Sequence, residues 1–183
     1  MSDSVTERTT DHTDSTGIAS TRADRDRTAD VRADEIRADE VRIGSYATEE
    51  DLPSQISIGR LATFLHEVMT PFEDSMDATE RGITDALTKD GGFVVLARHE
   101  KELLGALVMV PTEMAGYVPE NLLLFVGVSP KARNRGIGGR VCRHAIRECQ
   151  GAVKLHVEPD NPAARLYERL GFRSKYLDMR LSP

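Results

Sequence analysis

Apolar residues between positions 41 and 181 follow two different spacings, and these predict alternating strands and helices. Short, mostly apolar runs bounded by polar turns predict strands, whereas apolar positions three or four residues apart predict helices with one buried face. The predicted strands are 41–46, 93–97, 103–110, 122–128 and 153–157, with a last hairpin or edge strand over 172–181. The predicted helices are 56–69, 77–87, 136–150 and 161–170. This order predicts a folded α/β domain over residues 41–183.

Part of the pattern has the lengths of a strand–helix–strand crossover. Strand 122–128, helix 136–150 and strand 153–157 follow one another closely, so we expect the two strands to be parallel. Asn161 before a proline predicts the N-cap of the last helix, and Gly171 predicts its end.

The first 40 residues have a different composition from the rest of the chain. They hold 11 acids and 6 bases, a formal charge of −5 out of −6 for the whole chain. Their first half is rich in Ser, Thr and Asp and nearly lacks large apolar groups, so we expect a disordered acidic tail over residues 1–40. A short near-repeat with the pattern Ala-Asp-Glu-Ile-Arg matches neither a buried helix nor a strand, and fits either a partly helical linker or a docking segment.

Several classes of protein are disfavoured. No stretch is apolar enough for a membrane span or signal peptide, so we expect a cytoplasmic protein without membrane partners. Cys142 and Cys149 lie roughly 10 Å apart on one predicted helix, too far to bridge, and are expected as buried thiols. His156, Glu158 and Asp160 alternate like metal ligands, but no second cluster accompanies them, and we expect no metal. The sequence has no aromatic-rich platform on which bases could stack, so we expect no nucleic-acid partner.

Residues 133–138 have the sequence Arg-Asn-Arg-Gly-Ile-Gly and lie between a predicted strand and a predicted helix. Free N–H groups and the helix dipole attract anions at a helix N-terminus, and glycine lets a phosphate approach the backbone closely. Six cations and no acid occur between residues 131 and 147, namely Lys131, Arg133, Arg135, Arg140, Arg143 and Arg147. The segment therefore predicts a site for a cofactor with several phosphates.

Two motifs resemble those of the GCN5-related N-acetyltransferase (GNAT) family. The first is Val128-Ser129-Pro130 followed by Arg133-Asn134-Arg135-Gly136-Ile137-Gly138. The second, one predicted strand later, is Asn161-Pro162-Ala163-Ala164-Arg165-Leu166-Tyr167-Glu168-Arg169-Leu170-Gly171-Phe172. The order of elements resembles the family over 41–183, and the similarity is close over 122–181. The resemblance implies a GNAT-like α/β fold, with a mixed, mostly antiparallel sheet, a splayed parallel strand pair, and helices on both faces.

The resemblance also implies acetyl-CoA as co-substrate, with its pantetheine arm lying between the two parallel strands like an added strand. Backbone groups of Val126 and Val128 would hold the arm, and Gly127 would mark the bulge that starts the splay. Asn161 has two interpretations, a contact to the cofactor arm and a helix cap. The residues implied around the diphosphate are Arg133, Arg135, Gly136, Ile137, Gly138 and Gly139.

The implied reaction is transfer of the acetyl group from the thioester to a primary amine by direct attack in a ternary complex. Tyr167 would protonate the leaving thiolate, because a phenol remains protonated at neutral pH. The base is open between Glu120, Glu113 and a chain of waters.

The acceptor is open between a small-molecule amine and a peptide amine. It would bind against helices 56–69 and 77–87 and the loop 111–120, which the cofactor motifs do not constrain. A non-catalytic acyl-CoA-binding or sensing module is the alternative function, and a homodimer is an open assembly.

Overall fold

The computed structural model describes residues 40–114 and 116–181, and the predicted tail before residue 40 lies outside this range. Its centre is a five-stranded sheet with the strands in sequence order. The strands are β1 (Arg42–Tyr46), β2 (Phe93–His99), β3 (Glu102–Pro111), β4 (Asn121–Val128) and β5 (Val153–Leu155). Neighbours from β1 to β4 are antiparallel, whereas β5 is parallel to β4. The predicted mixed, mostly antiparallel sheet is confirmed.

Helices pack on both faces of the sheet. They are α1 (Ile58–Met69), α2 (Met76–Thr88), α3 (Ile137–Glu148) and α4 (Ala164–Arg169). Val94 and Leu96 of β2 pack in the cluster formed with α1 and α2, whereas Val95 and Ala97 pack in the cluster formed with α3. Because successive side chains of a strand face opposite sides, β2 is buried on both faces, and its sequence is a continuous apolar run.

Serine caps set the starts of α1 and α2. The Ser57 hydroxyl accepts a hydrogen bond from the Arg60 amide at 3.2 Å, and the Ser75 hydroxyl accepts one from the Ala78 amide at 3.2 Å. Each such cap typically stabilises a helix by about 1 kcal/mol. The caps place the helix starts within two residues of the predicted ones.

The β-bulge lies in the middle of β4, at Leu124. Val108 of β3 pairs with Phe125 and the next residue, Met109, pairs with Leu123, so Leu124 is the extra residue of β4. Residues two apart in a regular strand face the same side, but the extra residue reverses the alternation. Leu123 therefore packs on the α3 side and Phe125 on the α1 side. The expectation that Gly127 marks the bulge is therefore wrong.

Close packing explains the glycine at position 127. A Cβ atom there would lie 2.3 Å from Cγ2 of Val68, in the last turn of α1. Only a glycine lets this helix approach β4 so closely. The contact joins two segments far apart in the sequence, and the pattern around Gly127 alone does not show it.

Two predicted boundaries and one predicted strand are wrong. β5 ends at Leu155 rather than at residue 157, because Leu155 pairs with the last residue of β4 before the bulge. Helix α4 begins at Ala164 rather than at 161. The segment 173–181 forms no strand, and its alternating apolar residues leave their side chains exposed instead of covering a sheet face.

The cysteines and the lengths of the helices bear on two further expectations. Both cysteines are free, and Cys142 is buried as predicted, whereas Cys149 is only half-buried. Burial raises the pKa of the Cys142 thiol to about 12, so the thiol stays protonated at neutral pH. Within the described residues, no helix is both long and apolar enough to cross a bilayer.

Candidate active site

The candidate site lies where β4 and β5 part. The two strands pair over only three positions, from Asn121 with Val153 to Leu123 with Leu155. β4 continues to Val128, and along 124–128 no described strand pairs with it on the β5 side. A strand edge of this kind presents N–H and C=O groups to an extended ligand. Val126 and Val128 lie in this open stretch, and their half-buried side chains pack on the α3 side.

The loop after β4 bends back into α3 through two residues in the left-handed region. Asn134 has φ 60°, and Gly136, the residue before the first turn of α3, has φ 75°. Asparagine and glycine are the residues that adopt this conformation most readily. The Ser129 amide donates to the Leu104 carbonyl at 2.8 Å, which fixes the start of the loop on β3.

The amide groups in the first turn of α3 have no hydrogen-bond acceptor within the helix. The first amide that the helix itself satisfies is that of Arg140, which donates to the Gly136 carbonyl at 3.0 Å. The preceding amides, of Ile137, Gly138 and Gly139, have no carbonyl one turn earlier to bond within the helix. These donors lie at the positive end of α3, where the sequence predicts an anion site.

Gly138 shows what surrounds this turn. A Cβ atom at this position would lie 3.4 Å from Cδ2 of Leu166 and 3.5 Å from Cγ2 of Val128. The end of β4, the first turn of α3 and helix α4 therefore meet at one place. The fold thus brings residues of the two sequence motifs together.

Arg133 has a role that sequence reasoning missed. Its guanidinium donates from Nε to the Val128 carbonyl at 3.1 Å and from Nη2 to the Val68 carbonyl at 2.7 Å. The side chain thus ties the last turn of α1 to the end of β4. No local signal reveals this contact, because one partner is a backbone carbonyl 65 residues away in sequence.

Two more cations of the predicted cluster bind protein groups. Lys131 forms an ion pair with Glu102 at the start of β3. Arg140 donates from Nη2 to the Val41 carbonyl at 3.0 Å. Part of the local excess of positive charge therefore binds groups of the protein itself.

Tyr167 is buried beside α3. Its residue surface is 7% exposed, and its ring packs edge-on against Phe172 with the centroids 5.9 Å apart. Among the described residues its hydroxyl has no hydrogen-bond partner. Burial, followed by the neighbouring Cys142 thiol, raises the pKa of Tyr167 well above that of an ordinary phenol. The hydroxyl is therefore a protonated donor at neutral pH.

Asn161 forms a hydrogen-bonded turn before α4. Its Oδ1 accepts a hydrogen bond from the Ala163 amide at 2.9 Å, and its backbone carbonyl accepts one from the Ala164 amide at 3.0 Å. Because α4 begins at Ala164 with Ala163 in the N-cap position, the expectation that Asn161 caps this helix is wrong. A contact of Asn161 to the cofactor arm stays a prediction.

The two acids predicted as bases lie at the other end of β4. Glu120 precedes the first residue of β4, about 20 Å from Val126 at roughly 3.3 Å per residue. Its Oε2 accepts the Ala152 amide at 2.8 Å, and backbone hydrogen bonds lower its pKa. Glu113 lies on the exposed loop that leads to the same end of the strand.

The possible metal ligands of the chain are dispersed in the part that the structure describes. Within 40–114 and 116–181, no group of three or more His, Cys, Asp or Glu side chains is arranged to hold a metal ion. His156, Glu158 and Asp160 are exposed and lie past the end of β5.

A sequence model of the Acetyltransferase (GNAT) family matches residues 60–172. The chain belongs to this family. The matched region starts in α1 and ends at Phe172, so it contains the loop before α3, the open stretch of β4 and Tyr167. The resemblance inferred from two motifs is thereby confirmed.

Two curated relatives align with shorter segments. The chain is 33% identical over 84 residues to Cysteine-rich protein 2-binding protein of Homo sapiens, which covers 45% of this chain and 10% of that protein. It is 32% identical over 83 residues to 5-NmdU N-acetyltransferase of Pseudomonas phage PaMx11, which covers 44% of this chain and 57% of that protein. The chain thus spans a tenth of the first relative and little more than half of the second.

A solved structure shares the fold over a larger part of the chain. Aminoglycoside N-acetyltransferase AAC(6')-Iy in complex with CoA superimposes with a TM-score of 0.59, covering 78% of this chain and 94% of that one. The two sequences are 13% identical in this superposition. The likeness shows a common GNAT fold.

Proposed function

We propose that the protein is an acetyl-CoA-dependent N-acetyltransferase that transfers an acetyl group to a primary amine. The observation that carries this proposal is the open stretch of β4 next to the first turn of α3, with helix α4 against both. Membership of the GNAT family and the N-acetyltransferase named among its relatives support the reaction class.

The residues fit acetyl-CoA. The open edge of β4 offers alternating donors and acceptors to an arm that contains amide groups, as an added strand would. Val126 is the stronger candidate for that contact, because the Val128 carbonyl already accepts from Arg133. The first-turn amides of α3 would hold the diphosphate, with Arg135 as a charge partner. Arg133 would act by holding the loop in place.

Acetyl-CoA supplies the acyl group as a thioester, which an amine can attack directly. Tyr167 would then provide the proton that the departing sulfur needs. A thiolate leaves more readily than an amide nitrogen, because the pKa of its conjugate thiol is only about 8.5. A single positioned phenol is therefore sufficient to supply the proton. Backbone N–H groups of the open β4 stretch would stabilise the negative charge that develops on the carbonyl oxygen.

The proton of the attacking amine would leave through a chain of waters. Glu120 is bound to a backbone amide at the far end of β4, and Glu113 is on the loop beside it. A base must lie within hydrogen-bond reach of its proton, directly or through water. Of the three routes open from the sequence, the water chain is the one we propose.

Turnover measurements on the full chain test this proposal. Acetyl-CoA would be mixed with amino acids, polyamines, aminoglycosides and peptides, and the release of free thiol recorded. We expect thiol release with at least one amine. We also expect Tyr167→Phe to reduce kcat by about 100-fold or more, the usual contribution of a general acid. Because the Phe ring keeps the packing against Phe172, the melting temperature should change little.

Two results would contradict the proposal. Binding of acetyl-CoA without turnover of any amine would favour a non-catalytic acyl-CoA-binding module. Turnover that Tyr167→Phe leaves unchanged would remove Tyr167 from the mechanism.

A further inference from the structure

Glu73 lies in the short segment between α1 and α2 and has an unusual carboxylate. Among the described residues, its Oε2 is the one side-chain polar atom that is shielded from solvent and has no hydrogen bond. Oε1 likewise has no bond to a described residue, but it is not shielded. Buried acceptors in folded proteins almost always have a donor, and a partly desolvated carboxylate without one is costly. The open oxygen of this half-shielded carboxylate, Oε1, is accessible to a cationic donor from a ligand.

The backbone of Glu73 follows the end of α1, which packs on β4 near the candidate active site. Val68, five residues earlier, packs on Gly127 of β4, and its carbonyl accepts from Arg133. The segment then folds back on α1, because the Phe72 amide donates to the Met69 carbonyl at 2.8 Å. Glu73 therefore follows directly from the turn of α1 that covers the open stretch of β4.

We propose that Glu73 binds an ammonium group of the acceptor, and that this group is distinct from the amine that reacts. The inference rests on the proposed function and names the acceptor class, molecules with at least two amino groups. The reacting nitrogen must be unprotonated to attack, whereas a carboxylate favours the protonated form of any amine bound to it. The ion pair is strengthened because one side of the carboxylate is removed from water.

Asp74 provides a matched control. It is the adjacent residue and carries the same charge, but it is exposed. Its backbone carbonyl lies 3.1 Å from Nδ1 of His66. Replacing Asp74 by Asn removes one negative charge from the same segment without removing the shielded carboxylate.

The test compares diamines with monoamines on the full-length protein. The probes are butane-1,4-diamine, spermidine and neamine on one side, and butylamine and cyclohexylamine on the other. We expect turnover of diamine probes with a KM that rises with ionic strength. Glu73→Gln should lower kcat/KM for these probes by about 10-fold to 100-fold, the range for a lost charged hydrogen bond. The loss should appear mainly in the KM for the amine.

Other quantities should stay constant in Glu73→Gln. The KM for acetyl-CoA and the rate with monoamines should be unchanged, and the melting temperature should not fall, because the variant removes a charge that has no partner. Asp74→Asn should keep the preference for diamines.

The outcomes separate this inference from the proposed function. Equal turnover of diamines and monoamines, or an equal effect of both substitutions, would overturn the role of Glu73 while leaving an N-acetyltransferase. Absence of turnover with every amine would overturn the proposed function itself.

Discussion

Gly127, Gly136 and Gly138 lie within 12 positions of one another and are glycine for three different reasons. Gly136 has a left-handed backbone, Gly127 makes room for Val68, and Gly138 belongs to the first turn of α3. The reasons at Gly136 and Gly138 are local, and the sequence around these two residues predicts a loop and a helix start. The reason at Gly127 depends on its contact with α1, and the local pattern, which predicts a bulge there, does not show this contact.

Gly138→Ala tests the anion site at the scale of one methyl group. The added Cβ would make ordinary contacts with Leu166 and Val128, so we expect the fold to remain. It would also crowd the amides of the first turn, and the dissociation constant for CoA should rise about tenfold or more, a free-energy change of roughly 1.4 kcal/mol. Titration calorimetry measures this change. Gly59→Ala is the matched control, because Gly59 is likewise the second residue of its helix and has space around it.

Glu120 gives a pH-dependent prediction. Hydrogen bonds from the backbone lower its folded pKa below the ordinary value of 4.5, so its stabilising effect is present above that pH and is lost as the pH falls through the folded pKa. Glu120→Gln should therefore lower the melting temperature at pH 7 and have little effect near pH 3. Thermal unfolding at both values measures this difference. Turnover at pH 7 should not change, and a large loss of kcat would contradict the placement of Glu120 away from the chemistry.

At the scale of elements, β4 determines where the site is formed. Its first three positions pair with β5, its bulge follows at Leu124, and its last residues lie open beside α3. The lengths of the crossover predict the parallel pair, and the family resemblance predicts that the strands part. The position of the bulge and the end of β5 depend on the register between strands, which no local pattern reveals.

The packing of α1 on β4 can be tested by a pair of substitutions. Gly127→Ala places a methyl group against Val68, and overpacking of this kind typically costs about 1–3 kcal/mol. We expect the free energy of unfolding to fall by that amount. Val68→Ala removes the opposing methyl groups, so the double variant should be more stable than the sum of the single changes implies. Denaturant unfolding of the four proteins gives the coupling energy, and strict additivity would show that the two residues do not constrain each other.

For the whole molecule, the sequence predicts the sheet, the main helices and the family, since strong periodicities and two contiguous motifs carry them. Contacts between distant segments are not predictable in this way. Arg133 binds the carbonyls of Val68 and Val128, a contact that its place in the motif does not reveal. Glu73 drew no attention in the sequence, because only the fold shows that one of its oxygens is shielded and unpaired.

The central claim is that the amine attacks the thioester directly while both are bound. The most direct measurement follows a labelled acetyl group from acetyl-CoA into the amine product, with initial rates recorded as both substrates are varied. We expect one labelled acetyl group in the product for each thiol released, and intersecting double-reciprocal lines. CoA binding without labelled product, or parallel lines that indicate an acetylated enzyme, would contradict this claim.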